Sequence, residues 1–172
     1  MLKLEYLFEN YELAREALSL WEHDEDNLEE MLGNFRISSN PVYPFTRGGR
    51  VCFLRLAPVG EKAETDVRGE LEFIRYLLKE GYPALRPVRS LSGEDMVVAD
   101  TGFGRYFACV FEKVDGVEIS EAGYGREVMY AYGRALGRLH ALSSGYVPAV
   151  RKRRHKEILE WIRRTLEEYG GC

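Results

Sequence analysis

An α+β fold follows from three features of the sequence. Apolar residues alternate in several short runs between residues 35 and 110. One stretch of helical period, residues 63–80, interrupts those runs. Helical spacing also fills the chain before residue 33 and after residue 117. A switch between the two periods marks a switch of element, and one helix set within an antiparallel run of strands defines the class.

Taken in order, Leu4, Leu7, Phe8, Leu13, Ala17 and Leu20 give residues 2–20 a helical stripe. Asp26 or Asn27 is placed to cap a short second helix that stops at Gly33. Phe35–Ile37 and Val42–Phe45 then read as strands, and Arg47–Gly48–Gly49–Arg50 as the turn into a third, Val51–Leu56. The helix at 63–80 ends on Gly81, with Pro83 beyond it. Val88–Leu91, Met96–Ala99 and Tyr106–Val110 complete a sheet of about five strands, with turns at Ser92–Asp95 and Gly102–Gly104. Val128, Tyr132, Ala135, Leu136, Leu139 and Leu142 stripe a helix over 126–142. Ile158, Ile162, Leu166 and Tyr169 stripe a last helix over 155–169. Three segments result: a helical extension at 1–33, a sheet-bearing lobe and connector at 34–116, and further helices at 117–172.

Composition narrows the function classes. At 45% hydrophobic residues over 172 positions the chain has material for a core. A net charge of −4 argues against a general nucleic-acid binder. The basic run Arg151–Arg154 reads as a solvated loop or helix start. Apolar runs fall short of a membrane span, and acidic residues occupy the start where a secretory signal would be apolar, so a cytoplasmic protein is expected. Cys52, Cys109 and Cys172 are an odd, widely spaced set that fits reduced thiols and neither a disulfide frame nor a zinc site. His23–Asp24–Glu25–Asp26 lacks the glycine and distant glutamate of a calcium loop and reads as a solvated junction.

The candidate chemistry centres on Arg55. It lies between apolar residues on a strand whose two faces otherwise read as buried, and a buried guanidinium requires a partner. At about 100° per residue, Glu70 falls on the edge of the apolar stripe Val67–Leu71–Ile74–Leu78, while Glu72 points away. Glu70 is therefore the expected partner of Arg55. Such a pair either fixes helix to sheet or places nucleotide phosphates, as a strand cation and helix carboxylate do in kinases. Ser38, Ser39 and Asn40 form a polar turn between two strands, able to offer donors to a phosphate or to be a turn alone. No glycine-rich phosphate motif is present. Phe111–Glu112–Lys113–Val114–Asp115–Gly116 is an extended connector between sheet and helices.

Several runs in this order carry a resemblance: Phe35-Arg-Ile-Ser-Ser-Asn-Pro-Val-Tyr, Phe53-Leu-Arg-Leu, Gly69-Glu-Leu-Glu-Phe-Ile-Arg-Tyr-Leu, Val110-Phe-Glu-Lys-Val-Asp-Gly and Tyr132-Gly-Arg-Ala-Leu-Gly-Arg-Leu-His. Together they resemble the aminoglycoside phosphotransferase family, kinase-like enzymes that phosphorylate small molecules with ATP and magnesium. The resemblance implies a protein-kinase-like N-terminal lobe with a helical extension before it and the first helices of a second lobe after it. It places Arg55 where many members carry a phosphate-contacting lysine, and Glu70 at the carboxylate that orients it. It assigns Ser38, Ser39 and Asn40 to the phosphate loop and Glu112 and Val114 to the adenine-binding hinge. Gly133, Leu136, Leu139 and His140 match a structural helix, with His140 packed rather than catalytic.

The sequence also departs from that family. None of its three histidines, His23, His140 and His155, begins an H-x-D catalytic loop with a following asparagine, and no metal-binding aspartate follows. No catalytic residue and no metal ligand are therefore expected in these residues. The expectation is an ATP-binding portion of a small-molecule kinase, inactive alone. Its partners are expected to be a nucleotide and either a second copy or a C-terminal lobe, with neither nucleic acid nor membrane. The alternative is an interaction module of pseudokinase type that docks another chain through the stripes at 128–142 and 158–169.

Overall fold

The computed structural model describes residues 10–37, 40–151 and 155–169. Its element order is α1 (Asn10–Leu18), α2 (Leu28–Gly33), β1 (Arg36–Ile37), β2 (Pro41–Arg47), β3 (Arg50–Pro58), α3 (Glu64–Lys79), β4 (Pro87–Val88), β5 (Val97–Thr101), β6 (Gly104–Glu112), α4 (Ile119–Ala122), α5 (Arg126–Gly145) and α6 (His155–Tyr169). The α+β class holds. Among the described residues the sheet has six strands, in the order β1-β2-β3-β6-β4 with β5 also paired to β6. Every pairing is antiparallel. Two strands, β1 and β4, have only two residues each. The strand expected over 88–91 shrinks accordingly, because Ser90 turns back to Glu94.

Strand alternation divides the sheet into two faces. Tyr43, Phe45, Cys52, Leu54, Leu56, Ala108 and Val110 face α1 and α2, where they meet Leu13, Ala14, Ala17, Leu18, Trp21, Leu28 and Leu32. The indole of Trp21 donates to the Val88 carbonyl at 3.0 Å, which satisfies the one polar group this side chain brings into the core. The N-terminal helices thus share the main core with the sheet. Ala57, Phe107, Cys109 and Phe111 occupy the opposite face beneath Val67 and Leu71 of α3.

Helix α3 ends as its sequence dictates. Gly81 adopts φ 70°, and the Tyr82 and Gly81 amides donate to Leu77 and Leu78. This is the hydrogen-bond pattern of a glycine-terminated helix. Asn27 does stand at the N-cap of α2, but it is left-handed (φ 57°) and makes no side-chain cap bond. The short helix α4 was not expected from the sequence.

Asp24 is not merely a solvated junction residue. Its carboxylate accepts the amides of Gly48 and Gly49 at 2.9 and 2.8 Å, closing the turn between β2 and β3. Both glycines have positive φ, 56° and 73°, as a tight two-residue hairpin turn requires. Those two bonds hold Asp24 below the ordinary carboxylate pKa. Beside it, Arg47 pairs with Glu22 at 2.7 Å.

Helix α5 is tied to the C-terminal part of α3 and the turn after it. Arg138 donates to the carbonyls of Glu80 and Gly81, and Tyr76 to that of Leu142. No residue of α5 is buried. His140, expected to be packed, is exposed. Among the described residues no helix is long and apolar enough to cross a membrane.

Candidate functional site

Arg55 lies on the α3 side of β3, opposite Val42 of β2 and Cys109 of β6. One residue pair along, Phe53 is opposite Pro44 and Phe111. Opposed residues of an antiparallel pair point to the same side. Two rows of side chains therefore cross the three strands on the face that α3 only partly covers.

The face around Arg55 is more open than its sequence pattern suggests. Val51, Phe53 and Arg55 are half-buried, as are Val42 and Pro44 of β2, whereas Cys52, Leu54 and Leu56 are buried. The reason is coverage: α3 seals the β6 half of this face and leaves the β2–β3 half as an apolar floor. Arg55 stands at the boundary, its side chain 19% exposed.

Glu70 is the partner, as helix geometry required. Arg55 Nη1 donates to Glu70 Oε1 at 2.5 Å. The guanidinium also lies over the Phe111 ring, 5.2 Å from its centroid. Burial disfavours the charge on Arg55, but the hydrogen bond and charge of Glu70 outweigh it and raise the pKa above its ordinary value. Arg55 is thus a permanent cation, held in place by a carboxylate and an aromatic face.

Cys109 sits directly beside it. Burial pushes this thiol up to about 11, against a smaller opposing pull from the Arg55 charge. Cys52 and Cys109 are both buried and free, in keeping with core thiols. Sequence reasoning did not single out Phe111 as the ring beneath the cation. The signal was present: Phe111 and Cys109 are two apart on one strand and so share a face.

The connector begins where β6 ends. The Glu112 amide donates to the Arg86 carbonyl and the Lys113 amide to the Val51 carbonyl. Both bonds tie the start of the connector to the sheet. Glu112 and Val114 are exposed, and residues 113–118 form neither helix nor strand. Cys109 lies opposite Arg55 and three residues before Glu112, a separation of roughly 10 Å along β6. A cleft of about 440 Å³ beside the connector is lined by Gly81–Ala84, Arg86 and Glu112–Asp115; neither Arg55 nor Glu70 lines it.

Of the polar turn, Asn40 is half-buried at the start of β2. Ser38 and Ser39 lie outside the described residues, as do Lys152–Arg154 of the basic run and Cys172. Among the described residues no group of three or more His, Cys, Asp or Glu side chains gathers to hold a metal.

Comparison with known proteins agrees with this arrangement. The model of the phosphotransferase enzyme family matches residues 36–169. The amicoumacin kinase of Bacillus subtilis (strain 168) is 27% identical over 110 residues, which are 63% of this chain and 33% of that protein. The structure of the amicoumacin kinase hAmiN in complex with AMP-PNP, Ca2+ and Ami superposes on 90% of this chain and 48% of its own, with a TM-score of 0.73 and 24% identity. A microcompartment-associated aminopropanol kinase matches at a TM-score of 0.64 and 19% identity, over 83% of this chain and 44% of its own. These structural likenesses show the fold. The chain spans about a third of the curated relative's length and about half of the solved ones. The family match covers most of the sequence, and the chain belongs to the phosphotransferase enzyme family, the kinase-like enzymes of aminoglycoside phosphotransferase type.

Proposed function

We propose that residues 34–116 form the nucleotide-binding lobe of an ATP-dependent small-molecule kinase, and that 117–172 begin its second lobe. The observation that carries this is the Arg55–Glu70 pair, set at the edge of a half-buried apolar floor. The donor set suits a polyphosphate: a permanent cation, oriented from behind, whose forked N–H groups match phosphate oxygens. Val42, Pro44 and Phe53 would floor the purine, and the connector at Glu112 and Val114 would offer backbone groups to its edge. Asn40, Ser38 and Ser39 are proposed as further donors to the phosphates.

ATP supplies the transferable phosphoryl group in this reading. Arg55 would hold its phosphates, Glu70 and Phe111 would hold Arg55, and the floor would exclude water from one side of the base. No carboxylate among these residues is proposed as base or metal ligand, so the 172 residues are proposed to bind nucleotide without turning it over. Magnesium would arrive with ATP and find its protein ligands elsewhere. The AMP-PNP and Ca2+ named with the hAmiN complex support a nucleotide and a divalent cation in this fold. The acceptors in the relatives' names, amicoumacin and aminopropanol, support a small-molecule acceptor here. A cytoplasmic location accords with the use of ATP.

Calorimetric titration of ATP, with and without magnesium, into wild type and Arg55→Ala tests the reading. Binding that is lost in the variant is expected. No binding by wild type, or turnover that survives Arg55→Ala, would overturn it.

A second reading rests on a different observation. Met129, Tyr130, Tyr132 and Leu136 of α5 are exposed, as are Leu159, Trp161, Ile162 and Leu166 of α6. An apolar surface of this kind marks an association face. In this reading the chain docks a further lobe, a partner chain or a second copy through α5 and α6.

A further inference from the structure

Glu70 and Glu72 leave α3 in nearly opposite directions. Two residues apart, they are about 3 Å apart along the axis and roughly 200° apart around it. Glu70 faces the sheet and takes Arg55. Glu72 faces outward, away from the sheet as its sequence position implied, yet it has partners there. Its Oε1 accepts the Ala149 amide at 2.7 Å, and its Oε2 accepts the Val150 amide at 2.8 Å. One carboxylate thus grips two successive backbone N–H groups of the segment between α5 and α6. Charge-assisted bonds of this kind are the stronger class.

Nearby contacts keep that segment in place. Tyr146 packs on Phe73 and Tyr76, ring centroids 4.9 and 5.0 Å away. The Tyr76 hydroxyl donates to the Leu142 carbonyl at 3.0 Å. Arg138 holds the Glu80 and Gly81 carbonyls farther along. Tyr76 and Arg138 act at least one helical turn beyond Glu70. The Glu72 grip alone among these bonds is level with it. A contact level with Glu70 and across the helix from it opposes rotation of α3 about its axis, and such rotation would swing Glu70 away from Arg55.

We propose that Glu72 is a positioning residue: by holding the Ala149 and Val150 amides it fixes the rotation of α3 and thereby the seat of Glu70 against Arg55. The helical segment after the connector then sets the geometry of the phosphate-binding cation without touching it. This rests on the nucleotide reading given above for its functional consequence, but not for the mechanical one.

The test is a double-mutant cycle with an independent structural readout. ATP with magnesium is titrated into wild type, Glu72→Ala, Glu70→Gln and the double variant, and exchange of the α3 amides is followed in each. Glu72→Ala is expected to weaken ATP binding roughly tenfold, a coupling of the size usual between linked sites. In the Glu70→Gln background its effect should fall to about twofold or less, since the two act through one pair. Amides in the middle of α3 should exchange faster in Glu72→Ala. Glu72→Gln, which keeps one acceptor oxygen, should fall between and guards against a variant that fails to fold. Additive effects on binding, or unchanged affinity with unchanged exchange, would overturn the proposal. If wild type binds no ATP, the nucleotide reading fails, and unchanged α3 exchange in Glu72→Ala would then remove the latch as well.

Discussion

Arg55 and Glu70 meet at 2.5 Å across the gap between β3 and α3, fifteen residues apart in sequence. The pair does two things at once. It fixes the central helix to the sheet, and it leaves a permanent cation at the edge of an open apolar floor. In the proposed reading the structural ion pair is also the pair that would place the phosphates.

Glu70→Ala leaves the half-buried guanidinium without its carboxylate. The cost is expected to be about 1–2 kcal/mol, in the lower part of the range for an orphaned charged partner because solvent reaches both groups. Urea denaturation measures it. A loss below the error of the method would mean that Phe111 and solvent satisfy Arg55 unaided.

Asp24 gives a pH prediction. Its pKa is lowered in the folded protein by the Gly49 and Gly48 amides. A depressed carboxylate contributes stability that is fully present above its unfolded pKa and lost as pH falls through the folded one. The Gly48 and Gly49 amide shifts should therefore titrate with a midpoint below the ordinary 3.8, and Asp24→Asn should flatten this part of the acid limb. A midpoint at or above that value counts against the clamp.

Thiol chemistry should be slow. Burial raises Cys52 and carries Cys109 up to about 11, so at about pH 8 both are protonated as well as enclosed. In a chain carrying Cys172→Ser, a thiol reagent should label neither residue on the timescale of free cysteine and should label both in denaturant. Fast native labelling of Cys109 would show that the Arg55 face opens.

Trp21 tests whether the N-terminal helices belong to the same cooperative unit as the sheet. It is 1% exposed and packs in the core shared by α1, α2 and the strands. Trp21→Ala should cost about 3–5 kcal/mol, the range for deleting a large buried aromatic. Its effect should appear equally in a probe of the sheet and a probe of the helices. Separate transitions would mean that the helices unfold alone.

The exposed apolar residues of α5 and α6 predict self-association of the isolated chain. Light scattering at micromolar concentration is expected to give a mass above that of one chain. Leu136→Glu with Trp161→Glu should return it to 19.8 kDa. A wild-type chain already at that mass would remove the association reading.

What the sequence by itself determined is what local periodicity encodes. Alternation placed the main strands, helical spacing placed α3, α5 and α6, and Gly81 and the Gly48–Gly49 pair marked where the chain must stop or turn. Helix geometry alone chose Glu70 over Glu72 as the partner of Arg55, because angular position on one helix is a local quantity. Only the tertiary structure decided the rest, since it depends on which surfaces meet. Both faces of β3 look alike in sequence, yet α1 and α2 seal one and α3 half-seals the other, and that difference makes the open floor beside Arg55. Asp24 reads as solvated and Glu72 only as pointing away, because their partners are backbone amides at 48–49 and 149–150, donors that every residue but proline carries and that no side-chain pattern reveals.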